Sequence, residues 1–95
     1  MELKTTGIAG TMESGDIYVE LEPLSAGGIQ LKMDSSVSSQ FGRRIREVVL
    51  ETLSQCGVSN AAVNVVDKGA LDCTIRARVT AAAFRSAQST DYQWK

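Results

Sequence analysis

Two short stretches near the N-terminus alternate between apolar and polar residues. In residues 17–22, IYVELE, and in residues 29–33, IQLKM, every second side chain is apolar, as in a strand with one buried face. Pro23 ends the first stretch, and LSAGG supplies turn residues before the second. The pattern predicts an antiparallel hairpin. The side chains expected to face the core are Ile17, Val19, Leu21, Ile29, Leu31 and Met33.

Residues 36–56 change to the period of an amphipathic helix, because their apolar residues recur three and four positions apart. Asp34, Ser35 and Ser36 precede this stretch as candidate N-terminal caps, and Gly57 follows it as a candidate terminator. We expect a helix of about five turns lying across the apolar face of the hairpin. The residues predicted on its buried face are Val37, Phe41, Ile45, Val48, Val49, Thr52, Leu53 and Cys56.

The last third of the chain carries two competing patterns. AVNVV predicts a strand, DKG a turn, and CTIRARV alternates like the second strand of another hairpin. However, Leu71, Ile75, Val79 and Ala82 also recur at helical spacing. We favour a strand to about Val79 followed by a short helix over TAAAFRSA, and a helix throughout remains the alternative.

These elements predict an α+β domain built as a two-layer sandwich. An antiparallel sheet of two hairpins packs against one long amphipathic helix, and a short C-terminal helix follows. A chain of 95 residues has room for one domain. We assign residues 1–88 to it and expect residues 89–95, which show no periodicity, to form a flexible tail.

Composition narrows the range of functions. A net charge of −1 and five scattered aromatic residues argue against nucleic-acid binding, which needs a basic surface or grouped aromatic side chains. Histidine is absent, so the commonest general base at neutral pH is missing. Cys56 and Cys73 fit no metal-binding spacing, and we expect both to be reduced and buried. With no long apolar run and no secretion signal, we expect a cytoplasmic protein without metal or membrane contact.

In the stretch ESGD, Ser14 follows Glu13 and precedes Gly15 and Asp16, just before the first predicted strand. The simpler interpretation is a turn. The alternative is a modification site, because Gly15 lets the backbone bend and the acidic residues keep the segment hydrated. The stretch DSSV, with Ser35 and Ser36, resembles the attachment site of ordinary acyl carrier proteins, but we interpret this pair of serines as a helix cap.

DKGALD and the two arginines that follow it also invite a functional interpretation. We interpret Asp67, Lys68 and Asp72 as the charged rim of a turn, with a docking surface as the alternative. Arg76 and Arg78 are expected on one outward face, either solvated or paired with glutamates. Contact with phosphates or an acidic partner is the alternative.

Three stretches together carry a family resemblance: AGTMESGD, SSVSSQFGRRIREVVLETL and NVVDKGALDCTIRARVTAA. The chain resembles the acyl carrier (gamma) subunits of citrate lyase over residues 7–87, that is, everything but the tail. The long DKGALDC segment makes the resemblance specific, and ESGD stands at the family's modification position.

The resemblance implies a non-catalytic subunit. Ser14 would carry a phosphoribosyl-dephospho-CoA group, 2′-(5″-triphosphoribosyl)-3′-dephospho-CoA, through a phosphodiester bond. The thiol of that group would hold acetyl and citryl thioesters. The partners would be the alpha (acyl-transferase) and beta (citryl lyase) subunits and a prosthetic-group transferase. The alternatives are the acyl carrier subunit of malonate decarboxylase and an unmodified small α+β module that binds protein or RNA.

Overall fold

Four strands and two helices make up the part of the chain that the computed structural model describes, residues 1–35 and 39–88. In chain order they are β1 (Gly7–Ala9), β2 (Ile17–Pro23), β3 (Ile29–Ser35), α1 (Ser39–Gln55), β4 (Ala61–Asp67) and α2 (Asp72–Ser86).

The strands form one sheet in the order β1-β2-β4-β3. β4 is antiparallel to β2 and parallel to β3, and β1 is antiparallel to β2. The predicted hairpin between β2 and β3 is therefore wrong, because β4 lies between them, and the sheet is mixed rather than antiparallel. The reason is the connection through α1. A helix that carries the chain back along the sheet lets the next strand run parallel to the previous one, and alternation within a strand says nothing about its neighbours.

The second predicted hairpin is also wrong, since residues 72–86 form the helix α2. Its buried residues recur at helical spacing along its whole length: Ile75, Val79, Ala82, Ala83 and Ser86. Cys73 and Ala77, which the strand interpretation placed inside, are exposed. The helical pattern prevails because it alone accounts for both the buried and the exposed positions.

Buried residues of both helices join those of the sheet in one hydrophobic cluster. The predicted α+β class is therefore confirmed, with a second helix of 15 residues rather than a short one. The fully buried side chains come from β2, β4 and both helices, and include Ile17, Leu21, Val63, Val65, Val48, Val49, Leu53, Ile75 and Val79. The opposite sheet face carries the half-exposed positions of the alternating strands, which are polar in β2 (Tyr18 and Glu20) but mostly apolar in β4 (Ala62, Asn64 and Val66).

The α1 helix confirms the predicted element and its C-terminal end, but not the rotation predicted for its first turn. Gly57 terminates it with φ +76°, while the Val58 N–H donates to the Leu53 carbonyl and the Gly57 N–H to that of Ser54, which is the Schellman arrangement. At the other end, Phe41 is 63% exposed, so its predicted place in the core is wrong. Gly42, one position and about 100° further round the helix, is the buried residue there.

Two further expectations change. Asp34 and Ser35 do not cap α1, because both belong to β3, and Ser36 and Val37 lie outside the described residues, as does the predicted tail over 89–95. The cysteines are not both buried: Cys56 is half-buried and Cys73 is exposed at the start of α2.

Candidate functional site

Ser14 lies exposed in a four-residue turn between β1 and β2. The Asp16 N–H donates to the Glu13 carbonyl over 3.0 Å and closes the turn. Gly15, at its third position, has φ +84°, the backbone conformation that type II turns require there and that glycine adopts without strain. A Cβ at Gly15 would meet no atom within 4 Å. The space beside Gly15 is therefore open, Ser14 itself is exposed, and the predicted glycine bend is confirmed.

Asp16 holds this turn in place. One carboxylate oxygen accepts from the Ile17 N–H (2.7 Å) and from Arg78 Nε (3.0 Å). The other oxygen accepts from Arg78 Nη2 (3.1 Å) and from both the N–H and the hydroxyl of Thr11 (3.2 and 2.8 Å). The two-point contact with the guanidinium fixes the carboxylate plane as well as its position. The loop between β1 and β2 is thus tied to α2 as well as to its two strands.

These contacts set the charge of Asp16. Burial taken alone would raise its pKa, but the hydrogen bonds from Ile17, Arg78 and Thr11 and the positive charge of Arg78 outweigh burial and lower the pKa from 3.8 to about 2. Asp16 is therefore a structural carboxylate, ionised throughout the physiological range. Our expectation that it merely keeps the segment hydrated understated its role.

The Ser14 turn is also joined to the turn between β4 and α2. The Gly15 N–H donates to the Lys68 carbonyl (2.7 Å), and the Lys68 N–H donates to the Asp16 carbonyl (2.9 Å). The second turn has a brace of its own, because the carboxylate of Asp67 accepts from the N–H groups of Gly69 and Ala70, each at 3.0 Å. The predicted DKG turn is confirmed, although it leads into a helix instead of a second hairpin strand.

The register of the sheet brings three segments together at one end of the domain. Ile17 pairs with Asp67 across β2 and β4, and Ser35 pairs with Asp67 across β3 and β4. The two candidate serines thus lie at the same end of the sheet in different surroundings. Ser35 is half-buried and its hydroxyl donates to Asp67 over 3.0 Å, whereas none of the hydrogen bonds found within residues 1–35 and 39–88 involves the Ser14 hydroxyl.

The sequence did not reveal the contact between Asp16 and Arg78. The two residues are 62 positions apart, and the favoured interpretation placed Arg78 on the outer face of a strand. Only the helical alternative for residues 72–86 aims it at the Ser14 turn. Arg76, predicted to pair with a glutamate, does so: its guanidinium lies 3.1 Å from the carboxylate of Glu51.

The chemistry that this end of the domain offers is limited. The chain has no histidine, and within the described segments no three Cys, Asp or Glu side chains are grouped so that they could hold a metal ion. Neither described helix is long and apolar enough to cross a membrane. A single unengaged hydroxyl on a braced turn can receive a group, but any base that removes its proton has to come from another protein.

Comparisons with known proteins identify the class of protein to which this domain belongs. The sequence model of a family of acyl carrier proteins, described as "Malonate decarboxylase delta subunit (MdcD)", matches residues 4–86. The fold is similar to a chain in the crystal structure of a Pseudomonas malonate decarboxylase hetero-tetramer in complex with malonate. The TM-score is 0.64 with 24% identity, over 86% of this chain and 88% of that one. The domain is thus an acyl carrier of the small α+β class.

Curated relatives narrow the assignment. The citrate lyase acyl carrier protein of Klebsiella pneumoniae is 55% identical, over 99% of this chain and 97% of that protein. Those of Fusobacterium nucleatum and Streptococcus mutans are 52% and 50% identical, over 99% and 100% of this chain and 100% and 93% of theirs. The chain belongs to the family of citrate lyase acyl carrier proteins. It is a carrier subunit and not itself a catalyst.

Proposed function

We propose that the Ser14 hydroxyl is the point at which this carrier is covalently loaded with a phosphoribosyl-dephospho-CoA group. The observation that supports this most is the position of Ser14, exposed at the tip of a turn that is open at Gly15 and braced from below by Asp16. A transferase can enclose such a hydroxyl without unfolding the domain. The brace also presents it in one orientation.

The residues present fit such a group. A phosphodiester at Ser14 needs a hydroxyl that is free of internal hydrogen bonds and clear of side chains, and Ser14 meets both conditions within the described residues. Exposed Glu13 disfavours the folding of phosphates back onto the turn. When bound, the group supplies a thiol that holds acyl thioesters on a long arm.

The chain's own part in attachment is that of an acceptor. The oxygen of Ser14 forms the new ester bond to the first phosphorus of the triphosphate precursor, pyrophosphate leaves, and the hydroxyl proton passes to a base. Because the sequence contains no histidine and Asp16 is held by Arg78, that base belongs to the transferase. The carrier supplies a rigid anchor, and tethering makes later encounters with the partner active sites effectively intramolecular.

The partners follow from the same reasoning. We propose that the loaded carrier serves two subunits of a citrate lyase, an alpha subunit that exchanges acetyl for citryl groups and a beta subunit that cleaves the citryl thioester. The high identity to citrate lyase carriers over nearly the whole chain supports this choice.

A malonate decarboxylase is the second candidate, favoured by the description of the family model and by the fold similarity. Sequence identity favours citrate lyase, because the chain is 55% identical to the Klebsiella pneumoniae citrate lyase carrier and 24% identical to the malonate decarboxylase chain. Reconstitution with purified subunits of either complex tests the choice, and we expect turnover of citrate and none of malonate.

The attachment is tested by loading purified protein with the transferase and precursor and then measuring intact mass. Trypsin separates the candidates, because residues 5–32 contain Ser14 while residues 33–43 contain Ser35 and Ser36. Fragment ions then locate the added mass within the peptide. We expect it on Ser14, in residues 5–32, and expect none on Ser14→Ala protein.

Ser14→Ala is expected to fold normally, since exposed positions usually change stability by no more than about 0.5 kcal/mol. Ser35→Ala is the matched control and should accept the full mass, although loss of its hydrogen bond to Asp67 costs about 1 kcal/mol. Added mass on residues 33–43, or on Ser14→Ala protein, would show that the assignment of Ser14 is wrong.

A further inference from the structure

An apolar hollow lies at the same end of the domain as Ser14, and its wall includes Gly69 and Ala70 of the turn that Asp67 braces. Its volume is about 400 Å³, and its apolar lining includes Phe41, Ile45, Ala70 and Leu71. Phe41 is 63% exposed and Leu71 71% exposed. Two large apolar side chains left in water beside a concave surface are typical of a binding site, and the volume falls in the range of small-molecule sites.

The hollow begins one residue after Lys68, which is hydrogen-bonded to the Ser14 turn. The Gly15 N–H is bonded to the Lys68 carbonyl, and Gly69 is the first residue of the hollow's wall. The opposite wall is α1, which is fixed to the start of α2 by an ion pair of 2.7 Å between Arg44 and Asp72 at the rim. The two walls of the hollow are therefore joined at the rim by a contact within the domain.

We propose that this hollow binds the purine ring of the group attached at Ser14, with the base stacked on Phe41. The inference rests on the proposed attachment and names a binding site for part of the same group. In a 2′-(5″-phosphoribosyl)-dephospho-CoA, the adenosine is joined through its 2′ oxygen to the ribose whose 5″-phosphate is esterified to the serine. The purine is thus the flat, uncharged part closest to the tether.

The chemistry of the surface between Ser14 and the hollow fits this occupant. An exposed phenylalanine offers a face on which any base can stack. Lys68 brings positive charge beside the Ser14 turn, whereas the charge of Arg44 is already paired with Asp72 and Glu47. Because the tether keeps the base at an effective concentration of about 1 mM beside the hollow, a contact with a submillimolar Kd is occupied most of the time. A fixed adenosine would leave the pantetheine arm as the moving part.

Nuclear magnetic resonance of methyl-labelled protein before and after loading tests the proposal. Intact mass first establishes that the group is attached. We expect the Leu71 and Ala70 methyl resonances to shift upfield in the loaded carrier, and we expect nuclear Overhauser contacts between the purine protons and the Phe41 ring. Phe41→Ala should accept the full mass and lose these contacts, and its Leu71 methyl resonances should not shift between the unloaded and the loaded variant.

Ile8→Ala is the matched control, because Ile8 is an exposed apolar residue on β1, 43% exposed, and does not line the hollow. It should keep both the mass and the contacts. Full mass on Ser14 with unshifted Leu71 and Ala70 methyls would overturn the purine site and leave the attachment standing. Shifts that arise only when a partner subunit is added would overturn it too, in favour of a protein contact. Absence of the mass would overturn both inferences.

Discussion

Replacing Asp16 with asparagine tests whether the brace under Ser14 is electrostatic. The asparagine side chain keeps the shape and one acceptor oxygen, but it loses the charge and the second oxygen that accept from Arg78 and Thr11. The folded protein lowers the pKa of Asp16 from 3.8 to about 2. The ionised carboxylate therefore stabilises the fold above about pH 4, and this contribution is lost as pH falls towards 2.

The magnitude follows from that shift. A change from 3.8 to about 2 corresponds to at most about 2.4 kcal/mol. The Asp16 side chain is 13% exposed but that of Arg78 is 42% exposed, so water and salt screen part of the interaction. We expect Asp16→Asn to lower the free energy of unfolding by about 1 to 2 kcal/mol at pH 7.

The measurement is urea unfolding of the wild type and Asp16→Asn, followed by far-ultraviolet circular dichroism from pH 7 to pH 2. The two curves should differ at pH 7 and converge between about pH 4 and pH 2. Arg78→Gln is the matched partner, and the double variant should cost less than the sum of the two single changes. A difference that stays constant down to pH 2, or strict additivity, would refute an electrostatic brace.

Two further predictions concern packing and the backbone. Phe41→Ala should change the free energy of unfolding by less than about 0.5 kcal/mol. Ile45→Ala, one turn on and only 5% exposed, should cost about 2 to 5 kcal/mol in urea unfolding. Equal effects would contradict the described rotation of α1. Gly15→Ala should cost about 1 kcal/mol, because φ is +84° but the space is open. Gly10→Ala should prevent folding or raise the unfolded fraction strongly in thermal scans, since its Cβ would overlap the Ile17 carbonyl; similar melting temperatures for these two variants would show that the close approach is unimportant.

Local features of the chain could be predicted from its sequence because their causes are local. The alternation in residues 17–22 identified a strand and its buried face, and Gly57 identified the end of α1, since a left-handed residue is what a helix needs there. Gly15 marked the bend beside Ser14 for the same reason. The family resemblance, carried by ESGD and DKGALDC, indicated the carrier function and pointed to Ser14 as the residue to test.

Features that depend on distant parts of the chain were decided by the tertiary structure alone. Strand alternation fixes which side chains are buried but not which strands are neighbours, so β4 between β2 and β3 could not be foreseen. In residues 72–86 two periods overlapped, and packing along a whole helix face decided between them. The brace of Asp16 by Arg78 joins residues 62 positions apart, and the hollow is lined by Phe41, Arg44 and Ile45 of α1 and by residues 69–72. Both exist only because folding brings separate segments to one end of the domain.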